Sequence, residues 1–147
     1  MDYRPHPDAE ARIASALRAT QLILTADLLL EHKRELLNIC LWKMSLAEGK
    51  SKYETRFASA ASIGCPIKLL AHEHVCERAK LVQALLSAQI VVNDLRKFVV
   101  ACTVLRTEHA LLTTTSRTEP GLDGWDRYRK TRIAVIDRQT GFWLIAP

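Results

Sequence analysis

The sequence predicts an α+β fold: a helix-rich single domain with a small antiparallel or mixed sheet and a C-terminal β-hairpin. Three observations carry that prediction. Apolar residues recur in three- and four-residue steps through the first 49 residues. Period-two alternation and β-branched runs enter only after Lys50. The chain closes on two apolar runs, 133–136 and 142–145, separated by a turn containing Gly141. At 147 residues one core is expected, with 1–49 as a helical pair and 50–147 as the α+β part that carries the candidate site.

Residues 8–24 read as a first helix, with Asp8 as its cap and Ile13, Leu17 and Leu24 on one side. Residues 26–47 read as a second, with Leu29, Leu36, Cys40, Met44 and Ala47 in its stripe. Leu28, Leu37, Ile39 and Trp42 widen that stripe, so the helix is expected to be central. Gly49 is suited to a left-handed cap. Alternation over 52–57 predicts a strand, and 58–66 a small-residue loop. Residues 67–71 read as a second strand and 75–88 as a third helix. Asn93 is placed as the cap of a helix over 94–100. Thr103 and Val104 incline 101–105 toward strand. Residues 106–112 read as a short helix carrying His109, and 113–122 as a polar loop. A last helix begins at the cap residue Asp123, before the terminal hairpin.

Composition excludes several classes. With 48% apolar and 25% charged residues the chain is globular rather than disordered. No apolar run is long enough for a membrane span, so no membrane partner is expected. The start lacks a basic and then apolar export signal, which points to a cytoplasmic location. Cys40, Cys65, Cys76 and Cys102 include no C-x-x-C pair, so small buried thiols are expected rather than a zinc knuckle or redox motif. The net charge of +5 is uneven: residues 1–49 carry six Lys/Arg against seven Asp/Glu, and 50–147 carry fifteen against nine. A basic later part suits nucleic acid as a partner.

The densest group of proton-transferring or ligating side chains is His72-Glu73-His74, followed by Cys76. On a strand the two imidazoles share a face and Glu73 points away. On a helix they diverge by about 200°, which precludes shared ligation. Further donors would have to come from Cys65, Cys76, Asp94, Glu108 or His109. Three readings stand: a metal site, acid–base or hydrogen-bonding use without metal, and structural histidines satisfied by backbone carbonyls.

A strand ending in histidines and running directly into a helix resembles the centre of HNH-type (His-Me finger) nucleases. The resemblance covers residues 52–88, with 52–57 in its hairpin and 75–88 as its helix. It implies a metal-dependent phosphodiesterase in which His74 is the general base and Glu73 or His72 lies beside a divalent ion (Mg, Mn or Zn). His109 would be a distant candidate for the last ligand. The sequence departs from the family's pattern where a middle Asn and final His should follow: Asn93 and His109 come late, in other elements.

A second nucleic-acid element is Trp125 with Tyr128, surrounded by Arg127, Arg129, Lys130 and Arg132. The aromatics are expected in the core, with the basic groups as a rim toward phosphates. Arg56 is a further phosphate candidate. The expectation is a small nucleic-acid-associated protein, an HNH-like phosphodiesterase. The alternatives are a non-enzymatic binding or regulatory protein with structural histidines, and a homo-oligomeric scaffold joined through the second helix.

Overall fold

The computed structural model describes residues 3–147. Met1 and Asp2, which head the segment read as lacking an export signal, lie outside the described residues. The α+β expectation holds. Helices α1 (Ala9–Thr25) and α2 (Leu30–Ser45) lead into strands β1 (Phe57–Ser59) and β2 (Leu70–His74). Then follow α3 (Arg78–Leu86), β3 (Ala101–Leu105), α4 (Arg106–Thr118), α5 (Trp125–Lys130), β4 (Val135–Asp137) and β5 (Trp143–Ile145). The sheet order is β2-β3-β1-β4-β5, so β2 is an edge strand. Among the described residues only β1 and β3 run parallel, and β4 and β5 form the C-terminal hairpin.

Two apolar cores result. Ile13, Leu37, Leu41, Met44, Leu81 and Leu95 join α1, α2 and α3. Cys102, Val104, Leu112, Tyr128, Ile133 and Val135 join one sheet face to α4 and α5. Trp125 packs on Phe57 and Tyr128 with ring centroids 5.2 and 5.0 Å away, the core role expected of these aromatics. Among the described residues no helix is long and apolar enough to cross a membrane.

Several elements differ from the sequence reading. The alternation over 52–57 does not form a strand until Phe57. Thr55 turns inward instead: its hydroxyl donates to the Phe57 carbonyl at 2.6 Å and accepts the Thr103 amide at 3.0 Å. The second strand begins at Leu70 after a 3₁₀ turn, Ile67–Leu69, and runs through both histidines. Helix α3 starts three residues later than expected, because the Val75 amide still bonds the Val100 carbonyl beside the sheet. The helix expected over 94–100 is a 3₁₀ segment, Val92–Lys97, and Asn93 lies inside it rather than at its cap. Helix α4 extends through half of the expected polar loop. The hydroxyls of Thr113, Thr114, Thr115 and Thr118 bond carbonyls four residues back, and Thr115 is buried. Asp8 makes no side-chain cap bond, and Asp123 accepts the Glu77 amide while Gly124 occupies the cap.

Helix α2 buries Leu37, Cys40, Leu41 and Met44. Leu29 and Leu36, expected in its stripe, are exposed, as is His32. Gly49 has no left-handed backbone angle. Its role is close approach: a Cβ there would lie 2.3 Å from the Glu54 carbonyl oxygen. Gly49→Ala should therefore destabilise the fold by about 1–3 kcal/mol through overpacking. An unchanged thermal midpoint would show that the loop yields freely.

Candidate functional site: a histidine-lined cleft at the sheet edge

The register of β2 on β3 sets His72 opposite Thr103, Glu73 opposite Cys102 and His74 opposite Ala101. His72 and His74 therefore face the α2 side, while Glu73 enters the core face under α4 and α5. Because β2 is the edge, side chains from both faces reach one open cleft of about 460 Å³. Its walls include Trp42 of α2, Arg78 of α3, and His109, Thr113, Ser116 and Arg117 of α4. The four α4 residues follow three- and four-residue steps, so one face of that helix lines the cleft.

On the α2 side the rings of His72 and His74 lie 5.0 Å apart, and both pack on Trp42 at 5.1 and 5.5 Å. Ser45, the last residue of α2, bridges them, 3.2 Å from His72 Nε2 and 3.0 Å from His74 Nε2. The tautomers follow from the partners. His72 Nδ1 lies 2.6 Å from the Lys52 carbonyl, which only accepts, so Nδ1 carries the proton. In a neutral ring Nε2 is then bare and accepts from Ser45, whose hydroxyl hydrogen is shared with the Trp42 carbonyl at 2.8 Å. His74 Nε2–H donates to the Ser45 oxygen. His74 Nδ1 is left without a hydrogen bond among the described residues.

Burial is the main cause that depresses both imidazole pKa values, with the nearby Arg78 charge adding to it. His74 is pushed down to about 3, with His72 and Arg127 contributing further. Both rings are neutral at pH 7. The folded value below the usual 6.5 means that the unfolded chain binds the proton more readily. Stability is therefore full above about pH 6.5 and falls as pH drops toward 3. A urea series from pH 7 to 4 should show this loss, and His74→Gln should flatten it. An equally steep loss in the variant would assign the acid sensitivity elsewhere.

On the opposite face Glu73 is 7% exposed. One carboxylate oxygen accepts from His109 Nδ1 in a short hydrogen bond, and the other from Arg127 Nη2 at 3.1 Å. Arg127 is itself 1% exposed. It donates to the carbonyls of His74 and Val75, both at 2.7 Å, and to Ser116 Oγ at 3.1 Å. Glu73 thus fixes the His109 tautomer and turns Nε2 away, free of any hydrogen bond among the described residues. The His109 side chain is about half exposed.

The sequence places Arg127 in a basic rim; the structure buries it as the partner of Glu73, because α5 packs over the end of β2. Arg56 lies two strands from β2 and binds Asp137 with Nε and Nη2 at 3.0 and 2.6 Å. That pair holds the Asp137 carboxyl below its ordinary range. Arg129, Lys130 and Arg132 are exposed, the first two pairing with Asp126 and Glu119 at 2.9 and 3.3 Å. Of these five only Arg127 borders the cleft, from its buried position behind Glu73.

The residues do not fit a metal ion as placed. Among the described residues no three His, Cys, Asp or Glu side chains gather to hold one. Both ring nitrogens of His72 are engaged, and His109 meets Glu73 rather than the histidine pair. Cys40 and Cys102 are buried, Cys65 and Cys76 are partly buried, and all four are free thiols.

No site role was expected of Ser45, Arg78 or Arg117, and Trp42 entered only the apolar stripe of the second helix. The α4 stripe could have been found from the His109, Thr113, Ser116, Arg117 spacing, had 113–118 been read as helix. Fold and site together define an α+β protein with an imidazole-bearing cleft at an exposed sheet edge. Comparison with protein-family models, curated proteins and solved structures yields no match to this chain.

Proposed function

We propose that the chain is a nucleic-acid phosphodiesterase that works by acid–base chemistry at the β2-edge cleft. The observation that carries this reading is the Arg127–Glu73–His109 array. A buried carboxylate, itself anchored by a buried guanidinium, orients an imidazole whose second nitrogen is open to the cleft. That is the base-and-orienter geometry that proton transfer requires. His109 is the principal acid–base group in this reading. His74, held neutral with a pKa of about 3, is too weak a base for that role at pH 7 and serves as a hydrogen-bond partner. Arg78 and Arg117 line the same cleft and supply charge for a phosphate. Arg117 makes no ion pair among the described residues. The basic balance of residues 50–147 favours the same class of partner.

The test is cleavage of labelled single- and double-stranded DNA and RNA, with EDTA and with added Mg²⁺, Mn²⁺ or Zn²⁺. Cleavage in EDTA that is lost in His109→Ala supports the proposal. Cleavage only with added metal would favour the HNH-like route through His74. No cleavage with any substrate would remove the enzyme reading.

One observation favours a second reading, a non-enzymatic nucleic-acid-binding or regulatory protein. His72 is satisfied at both nitrogens and wedged against Trp42, which suits a structural clamp between α2 and β2. Binding without cleavage, falling steeply with salt, would support it.

A further inference from the structure

We propose that the chain holds a single-stranded nucleic acid in a second groove, on the sheet face that carries His72, and that this groove continues the histidine-lined cleft. The inference rests on the reading of that cleft as a nucleic-acid site, and needs no catalysis there. Ala58, Leu70, His72 and Thr103 are register partners or alternate along their strands, so they share one sheet face. Helix α2 covers that face at the histidines, through Trp42 and Ser45. Beyond them the buried residues Ala58, Leu70 and Thr103, with Ser62, line a groove of about 780 Å³. That volume suits a nucleotide-sized ligand. Part of its wall is apolar: Ile63 and Ile67 line it and are 43% and 67% exposed.

The rest of the wall is basic. Arg4, Lys50 and Arg138 line it against one carboxylate, Glu54, whose Oε2 accepts the Lys50 amide at 3.2 Å. Among the described residues neither Arg4 nor Lys50 makes an ion pair. Arg138 Nη1 donates to the Thr55 carbonyl at 3.4 Å, which ties its side chain to the segment before β1. The loop that carries Lys50 is held in shape: the Glu54 amide bonds the Ser51 carbonyl at 3.1 Å, and both of their carbonyls close on Gly49. Tyr53 belongs to the lining, with Lys52 Nζ 4.9 Å from its ring centroid. An aromatic ring beside cations takes a stacked base together with its phosphate, whereas a duplex hides its base faces. An acidic peptide would meet the cations but leave Tyr53 and the two isoleucines unused. The two cavities adjoin at Lys52: its carbonyl meets His72 Nδ1 at the cleft wall, while its neighbours Ser51 and Tyr53 line the groove. A strand with one phosphate at Arg78 and Arg117 thus finds cations on both sides of Lys52.

Fluorescence anisotropy of short labelled oligonucleotides tests this on the full chain, in EDTA and in the His109→Ala background, with the probe checked for integrity on a gel. Single strands should bind at least about tenfold tighter than the same sequence as a duplex. Lys50→Glu and Arg4→Glu should each weaken single-strand binding about tenfold and reduce the log–log salt slope by about 0.7. Both side chains are exposed, so the thermal midpoint should stay the same. Tyr53→Leu keeps apolar bulk without a ring to stack on, and should cost about tenfold with the salt slope unchanged. Unchanged affinity in Lys50→Glu and Arg4→Glu would overturn the proposal. So would a duplex that binds as tightly as the single strand, or displacement of the strand by polyglutamate at equal concentration. A wild type that cuts nucleic acid, with groove variants that bind as tightly as their parent, would remove the groove and keep the cleft. A wild type that cuts nothing, with binding that weakens in the groove variants, would keep the groove and remove the phosphodiesterase. No binding of any strand would overturn both.

Discussion

Arg127→Met should lower stability by about 3–5 kcal/mol, a large effect for a chain whose basic residues are otherwise mostly at the surface. The side chain is 1% exposed and its Nη2 holds three acceptors: Glu73 and the carbonyls of His74 and Val75. Methionine preserves much of the volume, so the loss is electrostatic rather than a cavity. Glu73 would remain buried with only His109 to offset its charge, and two carbonyls at the end of β2 would lose their donor. Adding Glu73→Leu to Arg127→Met should recover much of the loss, since no buried charge then stands alone. Urea unfolding with an unchanged slope would read both effects. A loss under about 1 kcal/mol for Arg127→Met would mean that water reaches Glu73 and that the array is not rigid.

His109→Ala should reduce the rate of phosphodiester cleavage by about 10²–10⁴-fold. Its side chain is about half exposed, so unfolding should shift little. The two readouts together separate chemistry from stability. His74→Ala should reduce the rate less, because a ring with a pKa of about 3 contributes a hydrogen bond rather than a proton acceptor at pH 7. Glu73→Gln should fall between wild type and His109→Ala: the amide still contacts the ring but no longer dictates which nitrogen carries the proton. A His109→Ala rate equal to wild type would remove this residue from the chemistry. A deeper loss in His74→Ala than in His109→Ala would return the base to the histidine pair.

Much of the fold was legible because it rests on local periodicity. The strand at 101–105 was readable from β-branched residues, and the hairpin from Gly141, which takes φ +78° in the turn. The sharing of one face by His72 and His74 follows from period two once the strand is granted. The thresholds between elements were less legible. Thr113 to Thr118 look like loop by composition, yet their hydroxyls return to the helix's own carbonyls and Thr115 is buried. Leu29 and Leu36 look like core by spacing, but α2 has two apolar faces and packing uses only one.

The sequence by itself determined the α+β class and the helical pair before the sheet; it put the histidine pair after an expected strand and left open the strand that the structure runs through both of them. Only the tertiary structure decided that β2 is the sheet edge, so that residues of both faces meet in one cleft. It also decided that Glu73 is joined to His109, 36 residues away, and to Arg127, 54 away. Local hydrogen bonds and apolar periodicity are set within a few residues and leave a pattern in the chain. An ion pair between distant elements leaves none, because any Glu and any Arg are equally free to pair until packing excludes water from one of them.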